Sequence, residues 1–201
     1  MSQHLRSGLQ RYLSNGQLEL LAKAKIGIAG AGGLGSNLAM ILARSGVENL
    51  IMVDYDTVDA SNLNRQHYWP RDLARPKVEA LAESLLALNP HMNLQSVHLR
   101  LDEGNIGEIV RQCGIWSEAL DNAQTKALFT EKALLAGCRV VAASGICGIG
   151  GQSLRRRDLG KLTVVGDFST SLDCAPPMAP RVIQAAAMMA DIVLEWLLQS
   201  S

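Results

Sequence analysis

Gly30, Gly32 and Gly35 stand at G-x-G-x-x-G spacing within IGIAGAGGLGSNLA, Ile26 to Ala39, between a short apolar run and a helix-like stretch. Glycines so placed serve phosphate chemistry. The first permits a tight turn, the second lets backbone approach a phosphate, and the third lets helix pack closely on strand. The phosphates then meet the amides of a helix N-terminus. A second apolar run, NLIMVDYD from Asn49 to Asp56, ends in acids at the distance where such units hold a ribose, which makes Asp54 the candidate carboxylate. The competing reading is a glycine turn that only packs a strand on a helix, so the rest of the chain must decide.

The elements that would position these residues are legible as alternation. Apolar runs at Lys25 to Ala29, Leu50 to Asp54, Leu94 to Leu99, Gly114 to Ala119 and Arg139 to Ala143 predict strands. Helices are expected at Leu34 to Ser45, Lys77 to Leu88, Asn105 to Cys113 and Ala123 to Ala136, with Asn89-Pro90 stopping the second. This succession predicts an α/β, Rossmann-like, doubly wound and mainly parallel sheet. Beyond the glycine-rich Gly145 to Gly151, Leu154 to Gly166 is expected to add antiparallel strands, and Phe168 to Pro180 an exposed connection. A final helix over Arg181 to Leu198 buries a stripe that includes Ile183, Ala187, Ala190 and Val193.

Composition narrows the classes. A chain of 201 residues with 48% hydrophobic content suits one large core, so 1–201 is expected to be a single domain with 1–24 as a helical arm. Nineteen basic against nineteen acidic residues leave no global case for nucleic acid or a membrane surface. Cys113, Cys138, Cys147 and Cys174 form no C-x-x-C pair, which predicts no structural zinc and reduced thiols, three of them in the core. The amino terminus lacks a secretory apolar core and no stretch has the length of a membrane span, so a soluble cytoplasmic protein is expected. His67, His91 and His98 lack ligand spacing, and Tyr68 and Trp69 are read as packing around the nucleotide loop.

Three segments beyond the second strand exceed a dinucleotide fingerprint: DYDTVDASNLNRQ from Asp54, RPKVEAL from Arg75 and EALDNAQTK from Glu118. In that order they resemble the adenylating domain of the ThiF, MoeB and HesA family, related to ubiquitin-activating enzymes, and most closely a short bacterial ThiF-like branch. The resemblance runs from Arg11-Tyr12 to the last helix. It implies an ATP-dependent adenylyltransferase acting on the C-terminal Gly-Gly carboxylate of a ThiS-like, ubiquitin-fold sulfur carrier in thiamine thiazole synthesis. A MoaD-like or other carrier is the alternative.

The resemblance also implies roles. Gly30, Gly32, Gly33 and Gly35 make up the ATP-binding glycine loop, Asp54 holds the ribose, Asp56 is a lesser acidic candidate, and Asn62, Arg65, Gln66 and Asn122 line the ATP pocket. Lys77 contacts phosphate and Asp121 engages magnesium. Independently, attack at phosphorus calls for cations against the triphosphate and a carboxylate for the metal, which Arg65, Lys77 and Asp121 can supply. The alternatives are a surface ion pair for Arg65 and Lys77, and a helix cap before Thr125 for Asp121-Asn122. Arg11 matches an arginine that reaches the ATP site of a partner subunit, implying a homodimer. No second arginine comes closely after it, and a solvated helix arginine is the other reading. Cys174, in DCAPPMAPR, lies where some relatives carry a cysteine that accepts the acyl group.

Two rivals come from other classes. A nicotinamide-dependent oxidoreductase shares the glycines and Asp54 but has no use for Arg65, Lys77 and Asp121. A noncatalytic scaffold subunit would not need the ATP-site residues at all.

Overall fold

Parallel strands buried on both faces read as continuous apolar runs; all five expected runs form parallel strands, and one of them lies at an exposed sheet edge. The computed structural model describes residues 1–170 and 175–199. The strands are β1 (Lys25–Ala29), β2 (Asn49–Asp54), β3 (Asn93–His98), β4 (Ile115–Glu118), β5 (Arg139–Ala143), β6 (Arg155–Leu159) and β7 (Leu162–Gly166). They lie in the order β3-β2-β1-β4-β5-β7-β6. Every neighbouring pair is parallel except β6 with β7. The α/β, Rossmann-like expectation holds, including the antiparallel C-terminal hairpin.

The helices are α1 (Gln3–Leu9), α2 (Asn15–Lys23), α3 (Gly33–Arg44), α4 (Lys77–Leu88), α5 (Ile106–Val110), α6 (Ala123–Leu135) and α7 (Ala179–Leu198). Alternate residues of each central strand feed two cores, as the period of two requires. Ile26, Ile28, Leu50 and Met52 join Leu38, Leu81, Met189 and Val193 on one face. Ile51, Val53, Trp116 and Val140 join Ile106 and Phe129 on the other. Trp116 meets Phe129 edge to face at 5.3 Å and donates its indole N–H to the Val110 carbonyl, 3.0 Å.

Two expected boundaries shift. The helix predicted over Asn105 to Cys113 is confined to Ile106–Val110, because Asp102 and Asn105 trade side-chain bonds to each other's amides in a preceding turn. The last helix starts at Ala179 rather than Arg181, since proline is tolerated in a first turn, where its missing N–H costs nothing. The face it buries runs through Val182, Ala185, Met189 and Val193, leaving Ile183 and Ala187 of the expected stripe exposed.

The strand order reverses between β1 and β4, and an open α/β sheet leaves a crevice outside the strand ends there. Gly30 turns at that place with φ +97°, and a Cβ on it would lie 2.5 Å from the Ala119 carbonyl oxygen at the end of β4. A Cβ on Gly35 would overlap the Gly30 carbonyl oxygen, so α3 can sit this close to β1 only with glycine there. Gly32 differs, because a Cβ there would meet nothing nearer than Gln66 Nε2 at 3.8 Å. Its missing side chain leaves space on the crevice side. Gly35→Ala is expected to cost about 3 kcal/mol, the upper range for overpacking, in urea denaturation. Gly8→Ala, in α1 with nothing within 4 Å of the new methyl, should be neutral or slightly stabilising.

Candidate functional site

The crevice is a cavity of about 610 Å³ at the carboxyl ends of β1, β2 and β4. Gly30, Gly32 and Gly33 form its floor together with Asp54, Asp56, Arg65, Gln66, Lys77, Asp121 and Asn122. Most of the residues expected at an ATP site therefore line one space.

Asp54 ends β2 and does two things with its carboxylate. Oδ2 accepts the Ala31 N–H of the glycine loop at 2.6 Å, and Oδ1 accepts the Asp56 N–H at 2.8 Å. Burial pushes its pKa up against those hydrogen bonds. Tyr68, buried, donates its hydroxyl to the Ala31 carbonyl at 2.7 Å and has the Lys77 carbonyl at 3.3 Å, which fixes the loop to the start of α4. The tyrosine read as packing around the nucleotide loop is bonded to it. Trp69 is more than half exposed and meets the His67 ring edge-on at 6.5 Å.

Lys77 is the first residue of α4, and its ammonium pairs with Asp56 at 2.7 Å. The lysine side chain is 7% exposed, so this is not a surface ion pair. Arg65 has no carboxylate partner among the described residues and is held instead by the Ser61 carbonyl, 3.1 Å, and Asn64 Oδ1, 2.8 Å. A guanidinium held by neutral oxygens keeps its charge uncompensated toward the cavity. Gln66 is buried, with Oε1 unmatched among the described residues. Neither Gly35, which packs α3 against the Gly30 carbonyl, nor Asn62 lines the cavity. The Asn62 side chain accepts the Asp59 N–H at 3.0 Å, and its carbonyl accepts the Arg65 and Gln66 amides, so it shapes the turn that presents them.

The pair Asp121-Asn122 divides its work. Asn122 caps α6, accepting the Thr125 N–H at 2.9 Å and its hydroxyl at 3.1 Å. Asp121 lines the cavity, exposed and without a partner among the described residues. A single free carboxylate suits a magnesium ion, which keeps most of its shell as water and substrate phosphate. Among the described residues no group of three or more His, Cys, Asp or Glu could hold a metal ion.

Several lining residues had no role in the sequence reading. Arg100 lies with its guanidinium carbon 5.3 Å from the centroid of the Tyr55 ring, beside Leu99 and Leu101. Lys126, the lysine of the DNA-x-x-K signature, lines the cavity and pairs with Glu118, which is fully buried at the end of β4. The signal was present in that signature but carried no assignment. Cys147, counted with the core thiols, lines the cavity as well, with its pKa raised by burial. Arg11 is exposed, just past α1, and lines no part of this cavity; Cys174 lies outside the described residues.

The ThiF family profile matches residues 4–199. The molybdopterin-synthase adenylyltransferase of Haemophilus influenzae is 40% identical over 110 residues, covering 54% of this chain and 45% of that protein. The chain spans less than half the length of the curated relatives it matches. In fold it resembles E. coli tRNA N6-threonylcarbamoyladenosine dehydratase, TcdA, in complex with ATP: TM-score 0.87 at 19% identity, over 96% of this chain and 93% of that one. It also resembles E. coli MccB with ATP, TM-score 0.77 at 21% identity, over 96% of this chain and 62% of that one. At those identities what is shared is the fold.

Glu118 offers a direct test of how the site is held. Burial pushes its pKa up, and the Lys126 ammonium and the Leu120 N–H pull the other way, so the lysine is the main group favouring the ionised carboxylate. Lys126→Ala is expected to cost about 3–5 kcal/mol by stranding a buried charge. The double variant Glu118→Gln, Lys126→Met should recover much of that loss in thermal unfolding.

Proposed function

This chain belongs to the ThiF family, and we propose that it is an ATP-dependent adenylyltransferase acting on the C-terminal carboxylate of a small ubiquitin-fold sulfur carrier. The observation that carries the reading is the division of charge around the glycine loop. Arg65 is uncompensated, Lys77 is buried with one carboxylate, and Asp121 lines the same cavity without a partner among the described residues. Hydride transfer calls for none of these.

In this reading the triphosphate lies over the glycine loop and the N-terminus of α3, and Asp54 meets the ribose while holding the loop amide of Ala31. Arg65 and Lys77 offset charge that grows on the phosphates as the carboxylate attacks the α-phosphorus and pyrophosphate leaves. Asp121 would hold magnesium, which when bound neutralises phosphate charge. The attacking carboxylate is already ionised, so the step needs positioning and charge stabilisation rather than a protein base. Asn62 and Asn122 serve the pocket by shaping the turn and the helix that carry its lining.

We further propose that the carrier is ThiS-like, ending in Gly-Gly, with a MoaD-like carrier as the rival. Residues 1–201 act as one adenylating unit in the cytoplasm. Arg11 reaches the cavity of a second subunit from the helical arm, in keeping with its exposure and its absence from the lining of its own chain's cavity.

ATP–pyrophosphate exchange driven by a panel of purified carriers tests the assignment, and exchange with no carrier at all would sink it. Asp121→Ala is expected to abolish exchange with the fold intact. Lys77→Ala and Arg65→Ala should each lose on the order of 2 to 4 kcal/mol of transition-state stabilisation. Normal rates in both would remove the phosphate roles.

A further inference from the structure

The cavity has a second end that the nucleotide residues do not build. Ribose over β2 and phosphates over β1 leave the β5 and β7 side for the carboxylate, and there the lining is Gly145, Cys147, Thr170, Pro177 and Val182. These come from three places on two connections: the loop after β5, the start of the β7–α7 connection, and its far end leading into α7. Loops of this kind have no strand ladder to order them.

One buried ion pair joins all three. Arg181 in the first turn of α7 donates to Asp167 Oδ2 at 2.6 Å, to the Gly150 carbonyl at 2.5 Å and to the Gln152 carbonyl at 3.0 Å. Asp167, just past β7, takes the Ser169 and Thr170 amides on Oδ1 at 2.8 Å each, and the Thr170 hydroxyl on Oδ2 at 2.9 Å. The Asp167 amide itself donates to the Gly145 carbonyl at 2.9 Å, where Gly145 turns with φ +75° and a Cβ would run into the Asp167 carboxylate. Both side chains are buried, and Arg181 Nε has no partner among the described residues. An interior ion pair is a poor stabiliser compared with apolar packing. Its use here is geometric, since a guanidinium fork can bind one carboxylate and two carbonyls at fixed angles, which an apolar side chain cannot.

From this we propose that Asp167 and Arg181 are positioning residues that set the acyl end of the cavity, so that the carrier's carboxylate meets the α-phosphorus in line; the inference rests on the adenylation reading above. Neither residue touches the nucleotide end. Cys147 lies near enough to feel the charges of both this pair and Arg65, so the accessibility of its thiol reports the order of the loops without reference to turnover.

The test compares wild type with Arg181→Lys, which keeps a charge but not the fork, and with Arg181→Met. Three quantities are measured: ATP affinity by calorimetry, kcat and KM for carrier-driven exchange, and the alkylation rate of Cys147 by iodoacetamide, read by peptide mapping. Arg181→Lys should bind ATP within about threefold of wild type, lose roughly tenfold or more in kcat, and expose Cys147 by about tenfold or more, the scale of a tether lost at a buried charge-assisted contact. Wild-type kcat and wild-type alkylation in a folded Arg181→Lys protein would overturn the proposal. So would an equal loss of ATP affinity, which marks general collapse. If Arg181→Met does not fold, the lysine variant decides alone. If no carrier drives exchange in wild type, the adenylation reading fails, and ATP binding with alkylation still decides whether the pair orders this end of the cavity.

Discussion

The approach of α3 to the end of β1 is the constraint on which the site depends. A helix N-terminus contributes to anion binding only within its first turn, so the chain must bring that turn within reach of a phosphate. Gly35 permits the approach by having no Cβ to strike the Gly30 carbonyl, and Gly30 permits the turn by adopting positive φ against the Ala119 carbonyl. The Gly30 N–H is held by the Val53 carbonyl and the Gly32 carbonyl by the Ser36 hydroxyl, and between them the loop is tied by Asp54 and Tyr68. One takes the Ala31 N–H and the other donates to the Ala31 carbonyl, so both backbone polar groups of a single residue are tied to side chains from distant positions. The ribose-binding candidate is thus also part of the scaffold for the phosphate loop.

Charge is distributed on the same plan. Glu118 and Lys126 neutralise each other at the end of β4, and Asp56 and Lys77 pair at the end of β2. Asp167 and Arg181 do so behind β7. Each pair lies beside a strand terminus, where backbone groups run out of ladder partners and side chains must fix the loop beyond it. Arg65 and Asp121 are outside this scheme, one cation and one anion with no opposite charge bound among the described residues. An unpaired charge is free to serve a ligand, and these two carry opposite sign within one cavity.

How much the sequence made legible depends on how local each requirement is. The strands Lys25–Ala29 and Arg139–Ala143 stand where their apolar runs predicted, because in each a single charged residue marks the start and the four residues after it are buried. The helix at Ile106–Val110 came out shorter than expected because the Asp102–Asn105 turn competes for its first amides, and side-chain bonding of that kind is weakly encoded in hydrophobic period. Gly30 and Gly35 could be assigned from spacing alone. Asn62 could not, since whether an amide caps a turn or faces a pocket depends on how that turn sits against Arg65 and Gln66. Arg100 and Cys147 were harder still: they reach the cavity only through the strand order, which brings the ends of β3 and β5 to either side of β1 and β4.

The proposed adenylation asks for no protein nucleophile, and the setting of Cys147 is consistent with that. Burial raises the thiol's pKa, with Asp167 pushing the same way, while Arg65 and Arg181 only partly offset it. A thiol held protonated is a poor nucleophile at neutral pH, whereas a C-terminal carboxylate is fully ionised there. Two groups can therefore share one cavity without competing for the same phosphorus or acyl carbon. The uncompensated guanidinium of Arg65 discriminates in the same direction, since it favours an anion that arrives charged over one that must first lose a proton in an apolar wall. In the adenylation proposed above, selection of a carboxylate substrate would follow from the cavity's electrostatics, before any specific contact with the carrier is made.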